Sequence, residues 1–190
     1  MKMFKKIIAF TLATIMLMGT VSAYADNTDP SPSVAPIAET QYVKQTDVEA
    51  KTGNVKSLVE TRKNGNAAIL KVLKTTKKSI SIYANVEVDN VKYTVMKLSN
   101  SCLKNCSKVE TLTIPKTTTY IGYKAFAKAP TLTKIKVPCK KAPAVAKNAF
   151  KGCDTTKITI VITKMSNKQI KAFKKSLSNA GFKGTIEIAK

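Results

Sequence analysis

Histidine and tryptophan are absent from this 190-residue chain, and glycine is held to seven residues. The missing histidine removes the commonest general base, proton shuttle and metal ligand. No phosphate-cradling glycine loop occurs, which excludes the usual nucleotide sites. Acids are scarce: 11 against 33 lysines and arginines, a formal net charge of +22. They are scattered singly through the basic body, so no carboxylate pair for glycoside hydrolysis can be proposed. The four cysteines, Cys102, Cys106, Cys139 and Cys153, lack paired CxxC spacing for zinc. A nucleophilic thiol needs a base, and only lysine is on offer. These absences leave no catalytic, cofactor-binding or metal residue to nominate. An exported thiol enzyme or hydrolase stands only as the alternative from another class.

What the sequence does have is a repeat. Three lines align at steps of 23 and 24 residues: SCLKNCSKVETLTIP from Ser101, KAFAKAPTLTKIKVP from Lys124 and NAFKGCDTTKITIVI from Asn148. Leu103, Phe126 and Phe150 share one slot, preceded by Cys102, Ala125 and Ala149 and followed three residues on by Cys106, Ala129 and Cys153. Val109, Leu112, Ile114 and Pro115 match Leu132, Ile135, Val137 and Pro138. A fixed period of about 20–29 residues with recurring apolar slots marks a leucine-rich-type solenoid, whose units bury their hydrophobic edges only against neighbours. In the third copy the apolar slots move to Ile158, Ile160 and Ile162, one residue off register, and the closing proline is missing. The array is expected to end there.

The same alignment reads the cysteines. Cys102, Cys106 and Cys153 fill slots otherwise held by alanine, so they are expected to be small buried ladder residues. Cys106 and Cys153 lie two coils apart, about 10 Å at about 4.8 Å per strand, beyond the ~7 Å reach of a disulfide. A Cys102–Cys106 bridge stays open on distance.

Residues 1–25 read as a secretory signal peptide, with Lys2, Lys5 and Lys6, an apolar run from Ile7 to Met18, and an Ala23-Tyr24-Ala25 cleavage site. That run is shorter than the about 20 residues of a membrane span, and no second run follows, so none is expected in the mature chain. Without the three leader lysines the charge is +19, unevenly spread: residues 26–60 carry −3 and residues 61–190 carry +22. Such a body is drawn to polyanions, although lysine also keeps exposed strand edges from pairing.

Residues 26–55, with Pro30, Pro32 and Pro36 and no apolar periodicity, read as a flexible tether. The domain then occupies residues 56–190. Ser57 to Thr61, an Asn64-Gly65 turn and Ala67 to Val72 read as a hairpin, and Ser79 to Tyr83 alternates as a strand. Val86 to Val88 and Val91 to Val95 flank Asp89-Asn90 as a second hairpin. Repeats follow over residues 95–162 and a closing cap over residues 163–190. In that cap Ser166 and Gln169 form a capping-box pattern, and a helix runs through about Asn179 with Ile170, Phe173 and Leu177 on one face. Gly181 stops it, and Thr185 to Ile188 returns as a strand. The expected fold is a β-rich solenoid (α+β) of about three 23–24-residue repeats with an N-terminal β-hairpin cap and a C-terminal helix–strand cap.

The pattern Ala-Phe-x-x-Cys-x-x-Leu-x-x-Ile-x-Ile-Pro resembles the bacterial surface-protein-A-like (BspA-like) leucine-rich repeats. Its best copy is Tyr120 to Phe126 followed by Leu132, Ile135, Val137 and Pro138, and the likeness covers roughly residues 65–190. The resemblance implies a bacterial secreted or cell-surface protein, non-enzymatic, with a role in adhesion or ligand binding.

With Leu112 and Ile114 inward, the outward slots give a candidate binding face: Thr113 with Lys136 and Thr159, and Thr111 with Lys134 and Lys157. Aligned surface slots are where solenoids recognise ligands, and threonine also favours strands for its own sake. The expected partner is an extracellular protein or a glycan, bound by a monomer. Alternatively the chain is a cationic envelope protein held by charge to an anionic polymer or to lipid headgroups. Nucleic acid is not expected, because the periodic phenylalanines are core residues and few stacking platforms are left.

Overall fold

The computed structural model describes residues 42–189. The leader read over residues 1–25 and residues 26–41 of the tether lie outside the described residues. Strands β1 (Gln45–Lys51), β2 (Lys56–Thr61) and β3 (Asn66–Val72) form an antiparallel meander. After β4 (Ser79–Ser81) comes the hairpin of β5 (Asn85–Val88) and β6 (Val91–Leu98). Its two-residue loop, Asp89-Asn90, has φ of 50° and 62°, the left-handed pair that a tight hairpin turn requires. The chain then winds through β7 (Thr111–Thr113), β8 (Tyr120–Ile121), β9 (Lys134–Val137) and β10 (Ala144–Val145). A 3-10 turn (Thr155–Lys157), β11 (Thr159–Ile162), α1 (Asn167–Asn179) and β12 (Thr185–Ile188) complete it.

Each coil contributes to two sheets. One runs β12-β11-β9-β7-β4, parallel throughout; the other runs β1-β2-β3-β6-β8-β10 and is parallel from β3 onward. The inward residues stack rung on rung. Ile80, Leu112, Ile135 and Ile160 line the first sheet, and Ile69, Leu98 and Ile121 face them from the second, all nearly inaccessible. Each such side chain contributes about 1.5–3 kcal/mol on burial. Phe126 and Phe150 stack at 4.8 Å between ring centroids, and Phe182 continues the column at 5.1 Å from Phe150. The turn before this column repeats too: Ser101, Lys124 and Asn148 all have positive φ (54°, 51° and 61°), and Ser101 and Lys124 donate their N–H groups to Tyr123 and Asn148 carbonyls one coil on.

Three expectations need correction. The stack does not stop after the third copy. The extra residue behind Cys153 is taken up in the 3-10 turn, where Asp154 caps the Thr156 N–H, and Ile160 and Ile162 fall back opposite Ile135 and Val137. Strands β4 and β12, read as parts of the caps, are the outer rungs of the same parallel sheet. Second, β1 occupies part of the stretch read as tether. Thr61 Oγ1 donates to the Val43 carbonyl (2.7 Å) and accepts from the Gln45 N–H (3.0 Å), while the Tyr93 hydroxyl accepts from Val43 N–H (3.0 Å). Backbone pairing and these side-chain clasps hold the strand, and with only Ala50 fully buried it carries no apolar period. Third, Ser166 sits at the helix N-cap without a side-chain cap bond, so the capping box is not made. Gln169 instead accepts from the Ala142 N–H (2.8 Å) and Ser176 Oγ from the Val145 N–H (3.1 Å), so the helix satisfies donors on and beside the end strand β10. Ile170, Phe173 and Leu177 are its buried face, as the spacing predicted.

Hydroxyl and thiol groups stitch coil to coil. Thr117 Oγ1 donates to the Val95 carbonyl (2.6 Å) and Thr131 Oγ1 to the Val109 carbonyl (2.9 Å). Cys102 donates to Ala125, Cys139 to Pro115 and Cys153 to Phe126 carbonyls, at 3.5, 3.3 and 3.0 Å. All four cysteines are free thiols, so the Cys102–Cys106 bridge is not formed. Burial pushes Cys102 up to about 12 and Cys106 and Cys139 up to about 11, and raises Cys153 as well.

Two outcomes follow from this packing. Phe126→Ala should cost about 3–5 kcal/mol in urea unfolding, the range for emptying a large aromatic site. The thiols set a pH dependence. Because the folded chain holds these protons more tightly than the unfolded chain, their stabilisation is complete below the ordinary thiol value of 9.0 and is lost as pH climbs through about 11 to 12. Urea midpoints should therefore fall between pH 8.5 and 11. Cys102→Ala with Cys106→Ala, both alanine in neighbouring coils, should flatten that fall; an identical slope in the variant would contradict the assignment.

Candidate binding face

The outward side of the five-stranded parallel sheet forms two rows. One reads Ser79, Thr111, Lys134, Thr159, Thr185, and the other Ser81, Thr113, Lys136, Val161, Glu187. Rungs are about 4.8 Å apart, and residues two apart on one strand lie about 7 Å apart. The structure thus brings together five of the six nominated residues: Thr111, Thr113, Lys134, Lys136 and Thr159. Lys134 and Lys136 are exposed, whereas Thr111, Thr113 and Thr159 are half-buried beside them.

Two placements differ from the sequence reading. Thr159 lies in the row of Thr111 and Lys134, and Val161 takes the slot assigned to it. Lys157 is off the sheet, in the 3-10 turn, where its Nζ pairs with Asp154 at 3.0 Å. The hydroxyl of Thr156, and then Lys157, hold the Asp154 carboxyl below its ordinary range. Both errors have one cause, the extra residue after Cys153, which shifts sequence register by one without shifting spatial register. The face is therefore one lysine rung, flanked by Thr111 and Thr113 on one side and by Thr159 and Val161 on the other, with Lys157 no part of it.

Electrostatically the rung is uncompensated. Among the described residues the ion pairs are Lys56–Glu49, Arg62–Glu60, Lys78–Glu110 and Lys157–Asp154, all at the surface. None involves Lys134 or Lys136, so the two ammonium groups can meet a carboxylate or sulfate while neighbouring threonines offer hydroxyl donors and acceptors. The thiols offer no such chemistry: burial raises the pKa of all four, and Cys102, Cys139 and Cys153 are bonded to carbonyls. No three potential metal ligands come together among the described residues.

Residues missed by sequence reasoning lie at the edge of this face. Tyr83, just past β4, is 61 % exposed, and clefts of about 350 and 400 Å3 open on either side of it. The only signal was an aromatic at the outward end of the Ser79-to-Tyr83 alternation. The cleft walls come from residues far apart in the chain.

Comparison with known proteins bears on the architecture. No curated protein matches the sequence. Three solved structures are similar in part. A leucine-rich cell surface protein from Faecalibacterium prausnitzii A2-165 aligns with a TM-score of 0.48 and 21% identity over 64% of this chain and 33% of its own, so the chain spans about a third of that protein. A leucine-rich repeat protein from Bacteroides capillosus ATCC 29799 aligns at 0.42 and 17% identity, over 75% of this chain and 99% of its own. One from Bacteroides ovatus ATCC 8483 aligns at 0.41 and 21%, over 61% and 36%. The family model described as "BspA type Leucine rich repeat region (6 copies)" matches residues 76–189, from just before β4 to the end of β12. That match takes in both outer rungs as well as the repeats visible in the sequence, and the chain belongs to the BspA-type leucine-rich repeat family.

Proposed function

We propose that this chain is a secreted, non-enzymatic binding or adhesion module that holds an extracellular protein or glycan on the outward face of its parallel sheet. The observation that carries the reading is the rung of Lys134 and Lys136, free of ion pairs, set between Thr111 and Thr113 of β7 and Thr159 and Val161 of β11. A short-coiled stack places these side chains on a rigid plane, so little ordering entropy is lost when a ligand docks. Membership of a repeat family, and a similar protein described as a cell surface protein, support an extracellular role. So does the leader read over residues 1–25. No helix among the described residues is long and apolar enough to cross a membrane.

A second reading rests on charge. With +22 on residues 61–190, attachment to an anionic wall polymer or to lipid headgroups needs no defined site. Salt separates the two, because the Debye length shrinks from about 10 Å at 0.1 M to about 3 Å at 1 M. In a pull-down from bacterial and host surface extracts, partners of the sheet face should survive the 1 M wash and charge-only partners should be lost.

The decisive comparison uses two charge reversals of equal size. Lys134→Glu with Lys136→Glu alters the lysine rung; Lys171→Glu with Lys175→Glu alters exposed positions of α1. Melting temperatures should stay put in both. Retention of the 1 M-resistant partner should drop about tenfold or more for the first pair and stay near wild type for the second. Equal losses would remove the sheet-face reading and leave attachment by charge.

A further inference from the structure

The clefts on either side of Tyr83 share two residues, Tyr83 itself and Asn85, so the tyrosine forms a ridge between them. Its ring rests on the Gly53 turn. Gly53 has φ +84°, and a Cβ there would overlap the Ser81 carbonyl and come within 3.1 Å of Tyr83 Cδ1. One edge of the ring therefore lies against backbone, at a position where no other residue than glycine fits. The larger cleft is floored by the buried Ile82 and Ile114 with Pro138 and is walled by the hydroxyls of Ser81 and Thr113. Lys116 and Lys164 also line it. Across the ridge, Lys51 and Lys92 line the smaller cleft, with Glu87 its only acid. None of these four lysines makes an ion pair among the described residues.

Four lysines against one carboxylate call for an anionic ligand, and two clefts joined across an aromatic ridge call for a chain-like one. Peptide is the lesser fit, because the adjoining sheet edge is already taken. Asn54 closes β4 as a further strand would: its Nδ2 donates to the Ser79 carbonyl (3.2 Å), its Oδ1 accepts from Ser81 N–H (2.8 Å), and its own N–H donates to the Ser81 carbonyl (3.2 Å). A peptide cannot add there by backbone pairing. A sugar ring suits the ridge, since its C–H face is attracted to the negative face of an aromatic ring. Hydroxyls and the Asn85 amide suit its polar rim.

We propose that the Tyr83 ridge and its two clefts form a binding site for an acidic polysaccharide. One sugar ring stacks on Tyr83, and carboxylate or sulfate groups of the flanking sugars meet Lys116 and Lys164 on one side and Lys51 and Lys92 on the other. The site rests on the reading of the chain as a binding module but not on the lysine rung of the sheet face.

The test is titration of the full chain, in about 0.15 M NaCl, with oligogalacturonate, sulfated dextran, uncharged dextran of matched length and polyglutamate. Saturable binding to at least one acidic glycan is expected, with uncharged dextran much weaker. Tyr83→Ala, which changes no charge, should weaken that binding about tenfold, while Tyr83→Phe keeps it. Lys116→Gln with Lys164→Gln should weaken it comparably and serves as the second readout should Tyr83→Ala fold poorly. Unchanged affinity in Tyr83→Ala would overturn the site in favour of diffuse charge. Tighter, Tyr83-dependent binding of polyglutamate would overturn it in favour of an acidic peptide, and equal binding of uncharged dextran would overturn the role of the lysines. None of these results touches the sheet-face reading, which is judged on surface extracts by Lys134 and Lys136.

Discussion

A coil of this chain leaves its apolar edge open until the next coil covers it, and its strands, often only two to four residues long, hold few hydrogen bonds of their own. The stacked coil is therefore the unit of stability, and every other feature answers to its register. Slots must keep their size, which is why small residues recur before Leu103, Phe126 and Phe150. Backbone groups must find partners at the turns, which the left-handed residues Ser101, Lys124 and Asn148 arrange. An inserted residue must be absorbed away from the ladder, and the 3-10 turn at Thr155–Lys157 does this.

That constraint also decides what could be read from the sequence. The slots of Leu103, Phe126 and Phe150, the Asp89-Asn90 turn and the buried face of α1 were legible, because each imposes residue types at fixed local spacing. Strands β4 and β12 were legible as strands but not as rungs, since a short alternating segment looks alike whether it caps a stack or belongs to it. Phe182 joins the phenylalanine column 32 residues after Phe150, outside the period, because α1 intervenes. The helix itself met expectation in extent but not in its N-cap, since Gln169 was drawn to the Ala142 N–H of the preceding coil. Strand β1 was hidden because clasps from Thr61 and Tyr93, not apolar burial, hold its start.

The candidate binding face shows the same division. Lys134 and Lys136 sit where alternation placed them, whereas the third copy was misplaced by the single residue that the 3-10 turn absorbs. The Tyr83 clefts combine Gly53, Thr113, Pro138 and Lys164, which no local pattern links. Both surfaces draw on the same circumstance. No buried side-chain nitrogen or oxygen is left unpartnered among the described residues, and neither Lys134 and Lys136 nor the four lysines of the clefts make an ion pair there.

One parallel ladder runs unbroken from β4 to β12 across the misfit at Thr155–Lys157. Native-state hydrogen exchange tests it most directly, at the rung-to-rung amides on both sides of that turn. Thr159 N–H donates to the Thr133 carbonyl, Thr185 to Ile158 and Ala189 to Ile162, at 2.8, 3.1 and 2.9 Å. Thr159 and Thr185 should exchange as slowly as Lys134 on the far side, through a common opening of the stack. Exchange of Thr185 and Ala189 at unprotected rates, with Lys134 still slow, would show instead that the ladder ends at β11.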